Sequence, residues 1–155
     1  MKKLKTAILG IKFGSDVEST WDLLKKFDFL NSIDLHFVYL SKESNFDLGD
    51  DLNIPLYSLS DARVLIEHAV HLKLEALIPK ILPINFKGQY FSKCLLSHQP
   101  RKKINDYAIE IGANLMILAE GKRHLVSTGS FIQYQLMHSR THLIILRPQA
   151  TEGDL

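Results

Sequence analysis

Apolar residues along this chain gather into short continuous runs separated by stretches of helical spacing. Lys5–Lys12 carries Ile8, Leu9 and Ile11 in a run short enough for a buried strand. Ser15 followed by Glu18 makes a capping box. Val17, Trp21 and Leu24, with Leu23, Phe27 and Leu30 one register over, then predict an amphipathic helix that Asn31-Ser32 breaks. Ile33–Leu40 reads as a second strand, with Leu35, Phe37 and Tyr39 opposed to Asp34, His36 and Val38. Ser41–Leu56 is polar, contains Gly49 and Pro55, and reads as a loop. Ser58–Ile78 returns to helical period until Pro79 and Pro83 stop it. Tyr90–Leu96 is a third strand. Pro100 opens a helix lined by Ile104, Ala108 and Ile111, with Gly112 as a left-handed C-cap. Leu115–Ala119 is a fourth strand. Helix-length sequence runs from Ser127 to His138, and His142–Arg147 is a fifth strand ended by Pro148. The tail Gln149–Leu155 is expected to fray.

Short apolar strands alternating with helices predict an α/β fold: a doubly wound, five-stranded parallel sheet, Rossmann-like, with helices on both faces. The length of 155 residues predicts one domain. Composition leaves this picture unchanged. Hydrophobic residues make up 46% and charged residues 23%, values that exclude wholesale disorder. Nineteen basic against 17 acidic residues give a net +2, too little to draw the chain to nucleic acid or an anionic membrane. The single cysteine, Cys94, excludes a disulfide framework and a cysteine-based zinc site, and suits a reducing cytoplasm. No run approaches a membrane-spanning length, and the basic N-terminus lacks the apolar core of a signal peptide. A cytoplasmic protein is expected.

Ligands of such sheets bind beyond the carboxyl ends of the strands, where the strand order reverses. Lys12–Ser15, Leu40–Ser44 and Glu120–Ser130 fall there. In the last of these, Ser127-Thr128-Gly129-Ser130 at a helix start offers free backbone N–H groups, hydroxyls and the positive end of the helix dipole, which suit phosphate. Lys122, Arg123 and His124 on the adjoining loop could add charge. Helix capping by Ser127 or Thr128 is the plainer alternative. His68 and His71 share a helix face without a carboxylate or cysteine to complete a metal set, and read as a solvated pair. Cys94 reads as a buried, inert thiol. No metal site is expected.

Ile104–Pro148 carries an amphipathic helix ending in Gly112-Ala113-Asn114, the apolar strand Leu115–Ala119, a Gly129-Ser130 helix and a last strand ending in Arg147. This arrangement resembles the C-terminal half of the universal stress protein family. Gly14-Ser15 and the strand Leu35–Tyr39 extend the likeness to Lys5–Pro148. ATP-binding members carry Gly-x2-Gly-x9-Gly-Ser/Thr after the fourth strand and an Asp at the end of the first. Gly129-Ser130 matches the final pair, but the spacing counted back from Gly129 falls on Met116 inside the strand. With Ala119 in the first glycine's place the loop is shorter, Lys122 stands at the second glycine, and Gly121 is out of step. The Asp position falls on Lys12 or Phe13. A side chain at Ala119 or Lys122 hinders close approach of phosphate to backbone. Neither Lys12 nor Phe13 can accept a hydrogen bond from a nucleotide as an Asp does.

The resemblance thus implies a regulatory or binding module of the stress response, without catalytic turnover and not a strong ATP binder. The alternative is an adenine-nucleotide protein holding ATP or AMP. Its site would take in Lys12, Phe13, Val38, Ala119, Gly121, Lys122, Ser127, Thr128, Gly129 and Ser130. Slow phosphate-ester hydrolysis there is the third reading. The last strand, apolar through Leu143, Ile144, Ile145 and Leu146, is an association hazard as an edge. Family members commonly dimerise through it, so a homodimer is implied, with neither nucleic acid nor membrane as partner.

Overall fold

The computed structural model describes residues 5–11, 21–42, 59–119 and 125–146, with backbone alone at 41–42, 59–62 and 125–130. Five strands, β1 (Thr6–Ile11), β2 (Asp34–Lys42), β3 (Tyr90–Ser97), β4 (Leu115–Ala119) and β5 (His142–Leu146), form one sheet in the order β3-β2-β1-β4-β5. Every pairing is parallel. Three helices connect them: α1 (Leu59–Ile81), α2 (Pro100–Ile111) and α3 (Leu125–His138). The predicted doubly wound sheet is the observed one.

Alternation along the strands divides the core in two. Ala7, Leu9 and Ile11 of β1, Leu35, Phe37 and Tyr39 of β2 and Ile117 of β4 face one side, covered by Ile66, Val70, Leu74, Ile78 and Ile81 of α1. Ile8, Val38, Met116 and Leu118 face the other, beneath Ile104 and Ala108 of α2 and Ile132 of α3. Strands buried on both faces must be apolar throughout, which is why these runs are continuous.

Three elements depart from expectation. The helix predicted through Leu30 is replaced, from Asp22 onward, by two 3₁₀ turns, Asp22–Lys26 and Asp28–Ser32. Trp21, Leu24, Phe27 and Leu30 recur every third residue, a spacing that fits three residues per turn as well as 3.6. Trp21, Leu24 and Leu30 are thereby all buried against the α1 face. The capping box at Ser15 lies outside the described residues. Second, α1 runs through Pro79 to Ile81. Glu75, whose carbonyl loses its helical donor there, and Pro79 are both exposed, so water can replace that bond, while buried Ile78 and Ile81 hold the last turn down. Third, α3 starts at Leu125, two residues ahead of the expected Ser127.

The α2–β4 turn forms as predicted. Gly112 is left-handed (φ 67°) and the Ala113 N–H donates to the Ala108 carbonyl at 2.9 Å. Asn114 then ties three strand starts together. Its Oδ1 accepts from the Lys5 and Thr6 N–H groups at 3.3 and 3.4 Å, and its carbonyl accepts from His142 N–H at 3.0 Å.

Candidate functional site

The strand order reverses between β1 and β4, so the ends of these two strands mark the switch point at which such sheets take ligands, the crevice of the sequence analysis. Gly10 is registered between Val38 and Leu118. A Cβ at Gly10 would stand 3.0 Å from Leu118 Cδ2, so the bare glycine leaves room for the Leu118 side chain. Ile11 closes β1 and Ala119 closes β4, and both belong to the α1-side core. Ala119 is the last residue of β4. After five further residues α3 begins, which places its N-terminus at the same end of the sheet. The first-turn amides of α3, at Leu125 to Ser127, have no acceptor within the helix itself. Gly129 and Ser130 fall one step into its hydrogen-bond ladder. Val38 is fully buried in the α2-side core, so its side chain does not reach the crevice. Lys12, Phe13, Gly121 and Lys122 lie outside the described residues.

Away from the crevice, β3 and α1 enclose a cavity of about 20 Å³, room for one water and not for a nucleotide. His71 Nδ1 lies 3.0 Å from Ser92 Oγ, which donates to Glu75 Oε1 at 3.4 Å. The helical neighbour Glu75 thus meets His71 through β3, a link that separation along the chain did not disclose. Burial first, then the Glu67 carboxylate, pushes the Cys94 thiol up to about 12, so it stays protonated and inert. Among the described residues no group of three His, Cys, Asp or Glu could hold a metal ion. No described helix is long and apolar enough to cross a membrane.

Two further polar features were not foreseen. His36 stacks on Phe91 at 4.6 Å and its Nδ1 sits 3.0 Å from the Tyr107 hydroxyl. Burial holds His36 below its ordinary value, against the opposing Asp34 carboxylate, and burial, then Glu110, raises Tyr107. Strand alternation gave His36 its face, but not its partner on α2. Gln135 is fully buried on α3; a lone polar residue inside a helix carries no sequence signal of burial.

No family model matches the sequence, and no curated protein matches it. Solved structures do. One, described as hypothetical protein MJ0577, superposes with a TM-score of 0.69 at 12% identity, covering 95% of this chain and 98% of that one. A universal stress protein family member from Burkholderia pseudomallei gives 0.63 at 14% identity over 94% and 96%. The fold is that of the universal stress proteins. Another universal stress protein, in complex with cAMP, gives 0.57 at 10% identity over 96% and 100%. Universal stress protein structures from Archaeoglobus fulgidus and Arabidopsis thaliana hold dAMP and AMP.

Proposed function

We propose that this chain is a single-domain, universal stress protein-like regulatory module of the cytoplasm. It binds adenine nucleotide, ATP or AMP, weakly at the β1/β4 crevice and does not turn it over. The observation that carries this reading is the topology that brings the ends of β1 and β4 and the first turn of α3 to one end of the sheet, where the helix's N-terminal amides and dipole favour an anion. Neighbours of the same fold that hold cAMP, dAMP and AMP support it. Weakness follows from Ala119 at the first glycine's place and from Lys12 or Phe13 at the Asp place. Calorimetric titration with ATP and AMP, with and without magnesium, is expected to saturate only at high micromolar to millimolar ligand. Gly129→Asp is expected to weaken binding roughly tenfold or more, since a carboxylate near a phosphate repels it by ~1–3 kcal/mol. Absence of binding at millimolar nucleotide, or steady release of phosphate, overturns the reading.

The same proposal includes a homodimer formed through β5. That strand is an edge whose one partner in the sheet is β4, and Leu143, Ile144 and Ile145 remain half-buried there, while Leu146, also expected at the interface, is buried in the α1-side core. Light scattering after gel filtration is expected to give twice the 17.7 kDa chain mass. Leu143→Lys, which puts a charge against the edge, is expected to give the single mass. A wild-type monomer at tens of micromolar ends the dimer proposal.

A further inference from the structure

Gln135 is the one polar or charged residue that is fully buried among the described residues. Its Nε2 donates to the main-chain carbonyl of Arg101, 3.1 Å away in the first turn of α2. Its Oε1 is buried without a partner, as is Oδ1 of Asn105, one turn along α2 from Arg101. The next residue back, Tyr134, lies under the Arg101 guanidinium at 6.0 Å, so adjacent residues of α3 engage both the backbone and the side chain of Arg101.

Burial alone does not explain a glutamine here. Ile132, one turn earlier on the same helix, is buried by an ordinary apolar contact, whereas a buried amide oxygen left unpaired loses its hydration without return. What an amide adds is position. Apolar surfaces tolerate sliding and rotation, but the Nε2–carbonyl bond is made at one axial and rotational setting of α3 against α2. Ten residues separate Gln135 from Leu125, ~15 Å of helix, so a one-residue slip moves the first turn by ~1.5 Å.

We propose that Gln135 is a positioning residue: its tie to the Arg101 carbonyl fixes the reach and rotation of α3, and so where the first-turn amides of α3 meet an anionic group at the crevice. The helix-setting part stands on the contact itself; the consequence for nucleotide rests on the function proposed above. The test is Gln135→Met, which keeps length and apolar bulk, removes the donor and removes the orphaned oxygen. The thermal midpoint is expected to stay within a few degrees of wild type or to rise, because an unpaired buried acceptor has gone. AMP and ATP affinity are expected to fall about three- to thirtyfold, the range of coupling through such contacts. Amide exchange over Gly129–Ile132 is expected to speed several-fold in the unliganded variant. Unchanged affinity together with unchanged exchange overturns the proposal, as does a fall in stability with neither of those changes. If wild type binds no nucleotide, the functional reading fails while the exchange comparison still decides the positioning role. Should the variant not fold, the wild-type Gln135 side-chain amide protons decide it by NMR. Slow exchange supports the tie and exchange at the solvent rate refutes it.

Discussion

Trp21→Ala is expected to cost about 3–5 kcal/mol, the range for deleting a fully packed large aromatic. In a domain whose whole stability is of order 5–15 kcal/mol, that lowers the melting midpoint by roughly 10 °C. Trp21 is 1% exposed, and with Leu24 and Leu30, both at 0%, it packs into the core between the sheet and α1. The two 3₁₀ turns around these residues have poor hydrogen-bond geometry by nature, so side-chain burial and not backbone bonding holds them. Trp21→Phe, which keeps an aromatic ring in the same place, should recover most of the loss. Circular dichroism is the appropriate probe, because Trp21 is the only tryptophan and tryptophan emission is lost with it. A variant melting with the wild type would show that the first 3₁₀ turn docks without its largest side chain.

Gly88→Ala is expected to cost about 2–3 kcal/mol, or roughly 5–10 °C, by forced displacement and not by lost burial. A Cβ there would stand 2.5 Å from the Ile33 carbonyl oxygen and 3.0 Å from its carbon. Neither can retreat cheaply. The Lys87 N–H donates to the Asn31 carbonyl at 2.7 Å, the Gln89 N–H to Asp34 Oδ1 at 3.1 Å, and the Leu35 N–H to the Gln89 carbonyl at 2.9 Å. These bonds pin the entry to β3 against the start of β2. Urea melts of the two proteins check the expectation. Equal midpoints would mean that the turn moves as a unit without losing those bonds.

Most of the fold was legible because burial on both faces of a parallel sheet leaves a signal that survives without context. Leu115–Ala119 is apolar from end to end and was bounded to the residue, and Pro100 and Gly112 marked the ends of α2. Where spacing was ambiguous the reading failed. A repeat of three at Trp21, Leu24, Phe27 and Leu30 does not separate 3₁₀ from α, and a proline in the last turn ends a helix only if its lost bond cannot go to water. The end of the sheet at which β1 and β4 finish together was legible, since the topology of alternating strands and helices fixes which strand ends converge. The polar contacts between elements were not. Tyr107 reaches His36 across 71 residues, and Gln135 meets a backbone carbonyl, which presents the same acceptor whatever residue bears it.

The central place of β1 has a consequence for how the molecule is made. Ala7 through Gly10 pair on one side with Leu35 through Val38, which leave the ribosome soon after them, and on the other with Leu115 through Leu118. At ordinary translation speed the second neighbour arrives roughly 5–20 s after the first strand. During that interval a strand composed for the middle of a sheet has one edge open, and an open apolar edge is a template for intermolecular pairing. No parallel neighbour can be supplied locally, because each needs a crossover to close first. The period of greatest risk for this chain therefore falls in its synthesis, before the fourth strand exists to shield the first.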